Sequence, residues 1–511
     1  MNLIIQNSWY TEIVQNILKP EVDIVFIVDK IQILEFPLIK EEIEKDYPIL
    51  KHFKSELELR LHLKKNKGKI IVIFKSEKEI PYDLMSKFII FNVRHMLKEV
   101  FNKLDCEEIF KFPKEIYQKI FENYNKMKDS LFEKMSKADT QKFIENIVPD
   151  DFFQKRNNLN DLKSKIKNLI KKDIKYIDWG KVSKDLGELL YYIDTFNVND
   201  DVIGLKSELN NKFLIYIKEE YENLIYDTKS HINSNLIRLI FGKDKKRNAI
   251  ICFDCMGFEE WYVIKEFLDS RNGLDFKVGY SFSILPSETK YSSSAIFAGM
   301  VPKDIKELEV INQIHWKNEE RLFKYALSTQ YEIDKSEIYF KRCLISNDID
   351  FSFDNFKDYN AIGLVFSLID DITHSRRRMS KKLLLKNIKI ELEDSNLDDL
   401  IRNLLKQDFN IYFVSDHGNI FSYGNGINVS RDLFDSKAKR YLISNDEILL
   451  SEIEREIMDS LLIQFKNIIG NDFLLLLFSD VMFGSKNESS LTHGGISVEE
   501  VVVPFIKVIK N

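Results

Sequence analysis

The sequence has few cysteines, no apolar run of membrane length and no excess of positive charge. Only 4 cysteines occur in 511 residues. Cys252 and Cys255 have CxxC spacing, but no second pair exists to complete a zinc ribbon, so we expect reduced, structural thiols. Neither a run of roughly 18 apolar residues nor a basic and apolar leader is present, and we therefore expect a soluble cytoplasmic protein without a membrane segment.

The net charge of the whole chain gives no argument for a nucleic-acid partner. The formal net charge is −6, and the 31% of charged residues are of mixed sign. The lysine-rich run at 163–172 is interpreted as the solvated face of a helix, with a nucleic-acid surface as the alternative. A hydrophobic fraction of 44% is sufficient for sizeable cores, and the length predicts two or more domains.

The first 95 residues are predicted to form a small α/β domain. Residues 23–29 and 69–74 are apolar runs of strand length, separated by charged, helical sequence. A receiver domain is an alternative, because such domains open with a strand that ends in acidic residues. Only Asp29 ends the first run, and Lys75 follows the second where a phosphoacceptor would be wanted, which disfavours a receiver.

Residues 96–245 are predicted to be helical, because apolar residues recur at spacings of three and four with Lys and Glu between them. A polar linker at 241–248 then precedes a third domain, 246–511. There, strand-like runs alternate with helical segments, which predicts an α/β sandwich with helices on both faces of one sheet. The runs lie at 250–253, 278–284, 362–368, 411–414, 441–443, 473–478 and 501–505.

Aspartate and histidine residues follow several of these runs or occupy a glycine-rich turn. Because open α/β sheets bind ligands at the carboxyl ends of strands, we expect these side chains to converge. Asp370 and His374 are four residues apart and share one face of a helical turn. Mixed imidazole and carboxylate ligands suit Zn²⁺, our first choice, or Mn²⁺. The predicted ligands of a two-metal site are Asp254, Asp370, His374, Asp416, His417 and His493.

A hydroxyl-rich segment, 287–294, follows a predicted strand and opens a helix. A hydroxyl at a helix N-terminus feels the positive end of the helix dipole, which suits a metal-bound oxygen nucleophile that attacks phosphorus. Ordinary helix capping by serine or threonine is the alternative reading of this segment.

Four motifs together resemble the PglZ domain of the alkaline phosphatase-like superfamily. They are Asp254-Cys255-Met256-Gly257, Leu285-Pro286-Ser287-Glu288-Thr289 with the later 298–302, Val414-Ser415-Asp416-His417-Gly418, and the run from His493-Gly494-Gly495 through Glu499-Glu500 to Pro504-Phe505. The last motif is the most specific, and the resemblance covers roughly residues 245–511. It implies a mixed sheet sandwiched by helices. The Cys/Ser-x-Pro-x-Arg context of the sulfatase branch is absent.

The resemblance also implies roles for individual residues. One ion would be held by Asp254, Thr289, Asp416 and His417, and the other by Asp370, His374 and His493. Thr289 would be the nucleophile, with Ser287 and Ser292 as competing hydroxyls, and Asp371 competes with Asp370. Lys290 and Arg376 are candidate substrate contacts. The alternative to phosphate binding is that Arg376, Arg377 and Arg378 form the solvated, basic end of a helix.

The function implied by the resemblance is metal-dependent hydrolysis of phosphoesters. A phosphodiesterase or phosphatase acting on nucleotides or oligonucleotides is expected, in anti-phage defence of the phage-growth-limitation or BREX type. The alternative is a non-catalytic PglZ scaffold that assembles a defence complex through its helical half. The candidate partners are other proteins of such a defence system and a second copy of this chain. No membrane partner is expected.

Overall fold

The computed structural model describes the chain apart from short segments. The segments outside the description are 1–7, 21, 48–49, 52, 54, 66–67, 113, 131–132, 148–149, 197–201, 243–246, 273, 313–314, 316–317, 346–355, 376–378, 431–432, 434–437 and 510–511. The chain divides into two compact units. The first is Met1–Asn157 with Asn197–Asn199, and the second is Asn158–Phe196 with Asp200–Asn511.

The first unit contains a four-stranded, fully parallel sheet. Its strands are β1 (Ile24–Val28), β2 (Leu50–Lys51), β3 (Ile70–Phe74) and β4 (Ile89–Asn92), in the order β2-β3-β1-β4. Its helices are α1 (Thr11–Leu18), α2 (Pro37–Glu44), α3 (Glu56–Lys65), α4 (Tyr82–Met85), α5 (Val93–Val100), α6 (Cys106–Ile109), α7 (Tyr117–Met127) and α8 (Lys137–Ile147). The predicted small α/β unit is therefore present.

Both faces of this sheet are covered, because strand side chains alternate between two apolar cores. Val25 and Ile27 of β1 pack in one core, and Phe26 and Val28 pack in the other. This explains why the run at 23–29 is apolar at almost every position rather than at every second one.

The boundary between the units falls within α9 (Asp150–Ile170), and helices precede the sheet of the second unit. They are α10 (Trp179–Phe196), α11 (Ile203–Glu219) and α12 (Leu236–Phe241). The described residues of 96–245 contain no strand. In α9, Leu162, Ile166 and Ile170 are buried while Lys165 and Lys167 are exposed, so the basic run forms a solvated face.

A six-stranded mixed sheet organises the second unit. Its strands are β5 (Asn248–Phe253), β6 (Asp275–Phe282), β7 (Ile338–Cys343), β8 (Ala361–Phe366), β9 (Asn410–Val414) and β16 (Val502–Ile509), in the order β6-β16-β9-β5-β8-β7. Only β16 runs antiparallel to its neighbours. The carboxyl ends of the other five strands therefore meet at one edge of the sheet.

Helices cover both faces of this sheet. The helices that follow β5 are α13 (Phe258–Asn272), α14 (Thr289–Ala298), α15 (Pro302–Asn312), α16 (Glu319–Gln330), α17 (Leu368–Ser375), α18 (Lys381–Glu393), α19 (Leu397–Lys406), α20 (Glu447–Glu454) and α21 (Val498–Val501). Of these, α20 packs in a separate core through Leu450. Ile251 of β5 packs in a core with α13, α18 and α19, while Ile250 packs on the other face with α12, α14 and α16. The predicted sandwich of a mixed sheet between helices is confirmed.

Two of the predicted strands belong to a separate sheet. The runs at 441–443 and 473–478 form β11 (Tyr441–Ser444) and β13 (Phe473–Leu477). The central strand β13 pairs antiparallel with β11 on one side and with β12 (Ser460–Ile463) on the other. A third small sheet joins β10 (Ile420–Gly424) with β14 (Val481–Met482) and β15 (Ser489–Thr492). No helix within the described residues is long and apolar enough to cross a bilayer.

Candidate metal centre

Two acidic residues and a histidine meet at the carboxyl ends of the adjacent strands β5 and β9. Asp254 follows β5, and Asp416 and His417 follow β9, which pairs in parallel with β5. The potential ligand atoms of these three residues all lie within 4.8 Å of one another, and all three residues are buried. Parallel pairing of two strands thus brings together residues that are more than 160 positions apart.

The hydroxyl of Thr289 lies inside this first triad. Thr289 is the first residue of α14, and its Oγ1 is 3.1 Å from Asp254 Oδ1 and 2.9 Å from His417 Nε2. Glu288 caps the helix by accepting a hydrogen bond from the Lys290 backbone N–H, so Thr289 does not serve as the N-cap. The threonine hydroxyl is therefore directed to the ligand cluster.

A second triad is formed by Asp370, His374 and His493. Asp370 and His374 lie on α17, which follows β8, and His493 directly follows β15. His374 Nε2 is 3.2 Å from Asp370 Oδ1 and 3.1 Å from His493 Nε2. Their ligand atoms also lie within 4.8 Å of one another.

The two triads lie side by side, and a histidine ring of one contacts a histidine ring of the other. The rings of His417 and His493 stack with centroids 4.3 Å apart and planes 19° from parallel. In the second triad His374 is exposed and Asp370 is half-buried, whereas His493 and the whole first triad are buried. The cluster is thus accessible from the side of α17.

Backbone groups fix the orientation of the first triad. Asp416 Oδ1 accepts hydrogen bonds from the Cys255 N–H at 3.1 Å and the His417 N–H at 2.9 Å. Asp416 Oδ2 is buried, and no group of the described residues forms a hydrogen bond with it. His417 Nδ1 is 3.1 Å from the Gly418 carbonyl oxygen, which favours a proton on Nδ1 and leaves Nε2 as the ligand atom.

The electrostatics of the cluster fit divalent cations. Burial and the neighbouring Asp254 carboxylate raise the pKa of Asp416 well above its ordinary value. Burial, together with the neighbouring His417 and His374, lowers the pKa of His493 well below its ordinary value, so its imidazole is neutral as metal binding requires. A cation would compensate the crowded carboxylates and satisfy the unpaired Asp416 oxygen, so the residues present fit a metal.

The alternative site residues lie elsewhere or are engaged otherwise. The Ser287 hydroxyl donates to the Gly495 carbonyl at 2.7 Å, and the Ser292 hydroxyl donates to the Asp416 carbonyl at 2.7 Å. Asp371 is exposed and accepts a hydrogen bond from Ser367 at 2.8 Å. The Lys290 ammonium lies 5.2 Å from the centre of the Tyr291 ring. Arg376, Arg377 and Arg378 lie outside the described residues.

Three residues at the site were not identified from the sequence. Arg342 donates from Nη1 to Asp254 Oδ2 at 2.9 Å and from Nη2 to Glu319 Oε1 at 2.7 Å. Asn233 Nδ2 donates to the backbone carbonyls of Ser415 at 3.2 Å and Asp416 at 2.8 Å. Arg342 lies on β7, a strand at the edge of the sheet in which Lys341 and Arg342 end the apolar run after three residues.

Comparison with known families defines the class of this protein. Residues 232–508, more than half of the chain, match the BREX system PglZ alkaline phosphatase-like domain. The protein thus has an alkaline phosphatase-like domain, and the chain belongs to the PglZ family. The resemblance inferred from its four motifs is confirmed. No curated protein matches the chain.

Solved structures of low similarity were also found. Murine ectonucleotide pyrophosphatase/phosphodiesterase 5 is 11% identical, with a TM-score of 0.37 over 52% of this chain and 88% of that chain. The human protein of the same name is 10% identical, with a TM-score of 0.32 over 52% of this chain and 87% of that chain. At this level of similarity, neither protein's activity is carried over to this chain.

Proposed function

We propose that the chain is a metal-dependent phosphoester hydrolase with Thr289 as its nucleophile. The observation that carries the proposal is the position of Thr289 Oγ1, 3.1 Å from Asp254 Oδ1 and 2.9 Å from His417 Nε2, beside a second cluster of ligands. A hydroxyl held among ligand atoms is placed to act as a nucleophile when a cation lowers its pKa.

The proposed ligands divide into the two triads. Asp254, Asp416 and His417 would hold one ion together with Thr289, and Asp370, His374 and His493 would hold the other. Zn²⁺ is preferred because half of the six Asp and His ligands are imidazoles, and Mn²⁺ is the next candidate. Two bound divalent ions supply Lewis-acid activation and compensate charge on the attacking and leaving oxygens.

The covalent steps use only the chain, the substrate and water. Thr289 Oγ1 attacks phosphorus, the ester oxygen leaves with the electrons of its bond to phosphorus, and a phosphothreonine forms. The Oγ1 proton passes to Asp254 Oδ1, to which the hydroxyl donates a hydrogen bond at 3.1 Å in this structure, and from there to the departing ester oxygen. Water then cleaves the bond between phosphorus and Oγ1, which restores the threonine hydroxyl and releases the phosphate product.

The substrate and the biological role rest on family membership. We propose nucleotide or oligonucleotide phosphoesters as substrates and bacterial anti-phage defence in the cytoplasm as the role. Lys290, beside Thr289, stays a candidate contact for the substrate phosphate, as does Arg376. The division into domains at 1–95, 96–245 and 246–511 and a homodimer also stay proposals.

The test is hydrolysis of bis-p-nitrophenyl phosphate by the full chain before and after chelation. We expect activity to be lost on chelation and restored by Zn²⁺ or Mn²⁺. In His417→Ala the metal content should fall and activity should not be restored at the same metal concentration. Activity that survives complete chelation, or that is equal in His417→Ala, would contradict the metal-dependent mechanism and leave a scaffold role.

A further inference from the structure

The parallel sheet of the first unit has a topological switch point between β1 and β3. After β1 the chain passes to α2, whose Ile39 and Ile43 pack in the same core as Ile27. After β3 it passes to α4, whose Leu84 packs in the opposite core with Phe26. Because the chain leaves these adjacent strands toward opposite faces, a crevice opens at their carboxyl ends, which is where open α/β sheets bind ligands.

A cavity of about 940 Å³ occupies this crevice. Asp29 and Lys30 line it just after β1, and Lys75 lines it just after β3. Small-molecule sites typically have volumes of about 300–1,000 Å³, so the cavity is large enough for a ligand of nucleotide size. None of its lining residues belongs to the metal centre.

Two lysines carry the positive charge of the cavity lining. Lys30 and Lys75 are exposed, and neither ammonium makes a hydrogen bond or ion pair with any described residue. The Asp29 carboxylate is buried and accepts hydrogen bonds from the Ile33 N–H at 2.9 Å and the Leu34 N–H at 2.8 Å.

The other two carboxylates that line the cavity are also engaged. Glu56 accepts a hydrogen bond from Arg60 Nε at 2.8 Å, and Glu79 accepts one from the Lys75 backbone N–H at 2.9 Å. The two lysine ammonium groups are therefore the charged groups of the lining that have no partner among the described residues, and a ligand that pairs with them would be an anion.

One wall of the cavity is apolar. Phe53, Leu59 and Phe74 line it, and α3 begins beside it at Glu56. Aromatic and aliphatic side chains next to two lysines suit a ligand that has a flat apolar ring and a phosphate. We propose that the first unit binds a nucleotide at the carboxyl ends of β1 and β3, with its phosphate on Lys30 and Lys75 and its base against the apolar wall.

Calorimetric titration of the full chain with AMP tests this site. A Thr289→Ala background with a chelator prevents turnover at the metal centre. We expect one AMP per chain and an affinity reduced roughly tenfold or more when Lys30→Ala and Lys75→Ala are combined, because two charge-assisted contacts are lost. Lys87→Ala is the control, since Lys87 does not line the cavity and pairs with Asp83 at 3.8 Å; its affinity should be unchanged.

Competition experiments separate a nucleotide site from a simple anion site. Inorganic phosphate and adenosine should each displace AMP at least tenfold less effectively than unlabelled AMP, because each offers only half of the contacts. The proposal is overturned if AMP does not bind, if the double lysine variant binds AMP as the parent does, or if either fragment competes as well as AMP.

Discussion

At Thr289, one hydroxyl is within hydrogen-bond distance of both a carboxylate and an imidazole. Its neighbours Asp254 and His417 are themselves held in place, by Arg342 and by the Gly418 carbonyl respectively. This second layer of contacts orients the side chains before any metal or substrate binds, which lowers the cost of forming the site. Substitutions at the supporting residues should therefore disturb the positions of Asp254 and His417 while the Thr289 side chain itself is unchanged.

Gly418 is such a supporting residue, because its backbone passes very close to that of Glu499. A Cβ at position 418 would lie 2.0 Å from the Glu499 carbonyl oxygen. We expect Gly418→Ala to lower the free energy of unfolding by about 1–3 kcal/mol, since the backbone must shift, and to weaken metal binding through His417. Urea denaturation and metal titration measure the two effects.

Gly204→Ala on α11 is the matched control for this substitution. A Cβ at Gly204 would meet no neighbouring atom within 4 Å in the part of the chain that the structure describes. Alanine is a better helix former than glycine, so this variant should be neutral or slightly more stable. Equal stability of the two variants would show that the close approach of the 418 and 499 backbones does not constrain the site.

At the scale of elements, the turn between β15 and α21 carries His493. The Glu500 carboxylate binds this turn by accepting hydrogen bonds from the Gly495 N–H at 2.9 Å and the Ser497 N–H at 3.1 Å. Arg440, which is fully buried, donates to both Glu500 oxygens at 2.8 and 2.9 Å. Glu500, the second glutamate of the most specific motif, therefore has a structural role in shaping the turn.

We expect Arg440→Met to cost roughly 3–5 kcal/mol of stability, because it leaves the buried Glu500 carboxylate without its cationic partner. Arg402→Met is the control and should cost less than about 1 kcal/mol, because the exposed Arg402 side chain pairs with the half-buried Asp398 at a distance of 3.9 Å. Chemical denaturation of both variants measures the difference. A loss at Arg440 no larger than at Arg402 would contradict the proposed role of the buried pair.

At the scale of the whole molecule, the positions where strands end are easier to predict from the sequence than the partners with which strands pair. Asp254, Asp416 and His417 were predictable because each follows an apolar run, and parallel strands end at one edge of a sheet. The separate sheet of β11 and β13 was not predictable, because an apolar run does not specify its partner. Arg342 was missed because β7 is an edge strand, whose partly solvated side chains carry little hydrophobic pattern.

The central claim is that Thr289 is the nucleophile of a two-metal site, and the turnover of Thr289→Ala at matched metal content tests it most directly. Wild type, Thr289→Ala and Thr289→Ser would be compared in the hydrolysis of bis-p-nitrophenyl phosphate, with bound metal measured in each sample. We predict two ions per wild-type chain, a loss of roughly a thousandfold or more in Thr289→Ala, and partial activity in Thr289→Ser, which keeps the hydroxyl. Equal turnover by wild type and Thr289→Ala with the same metal content would contradict the account.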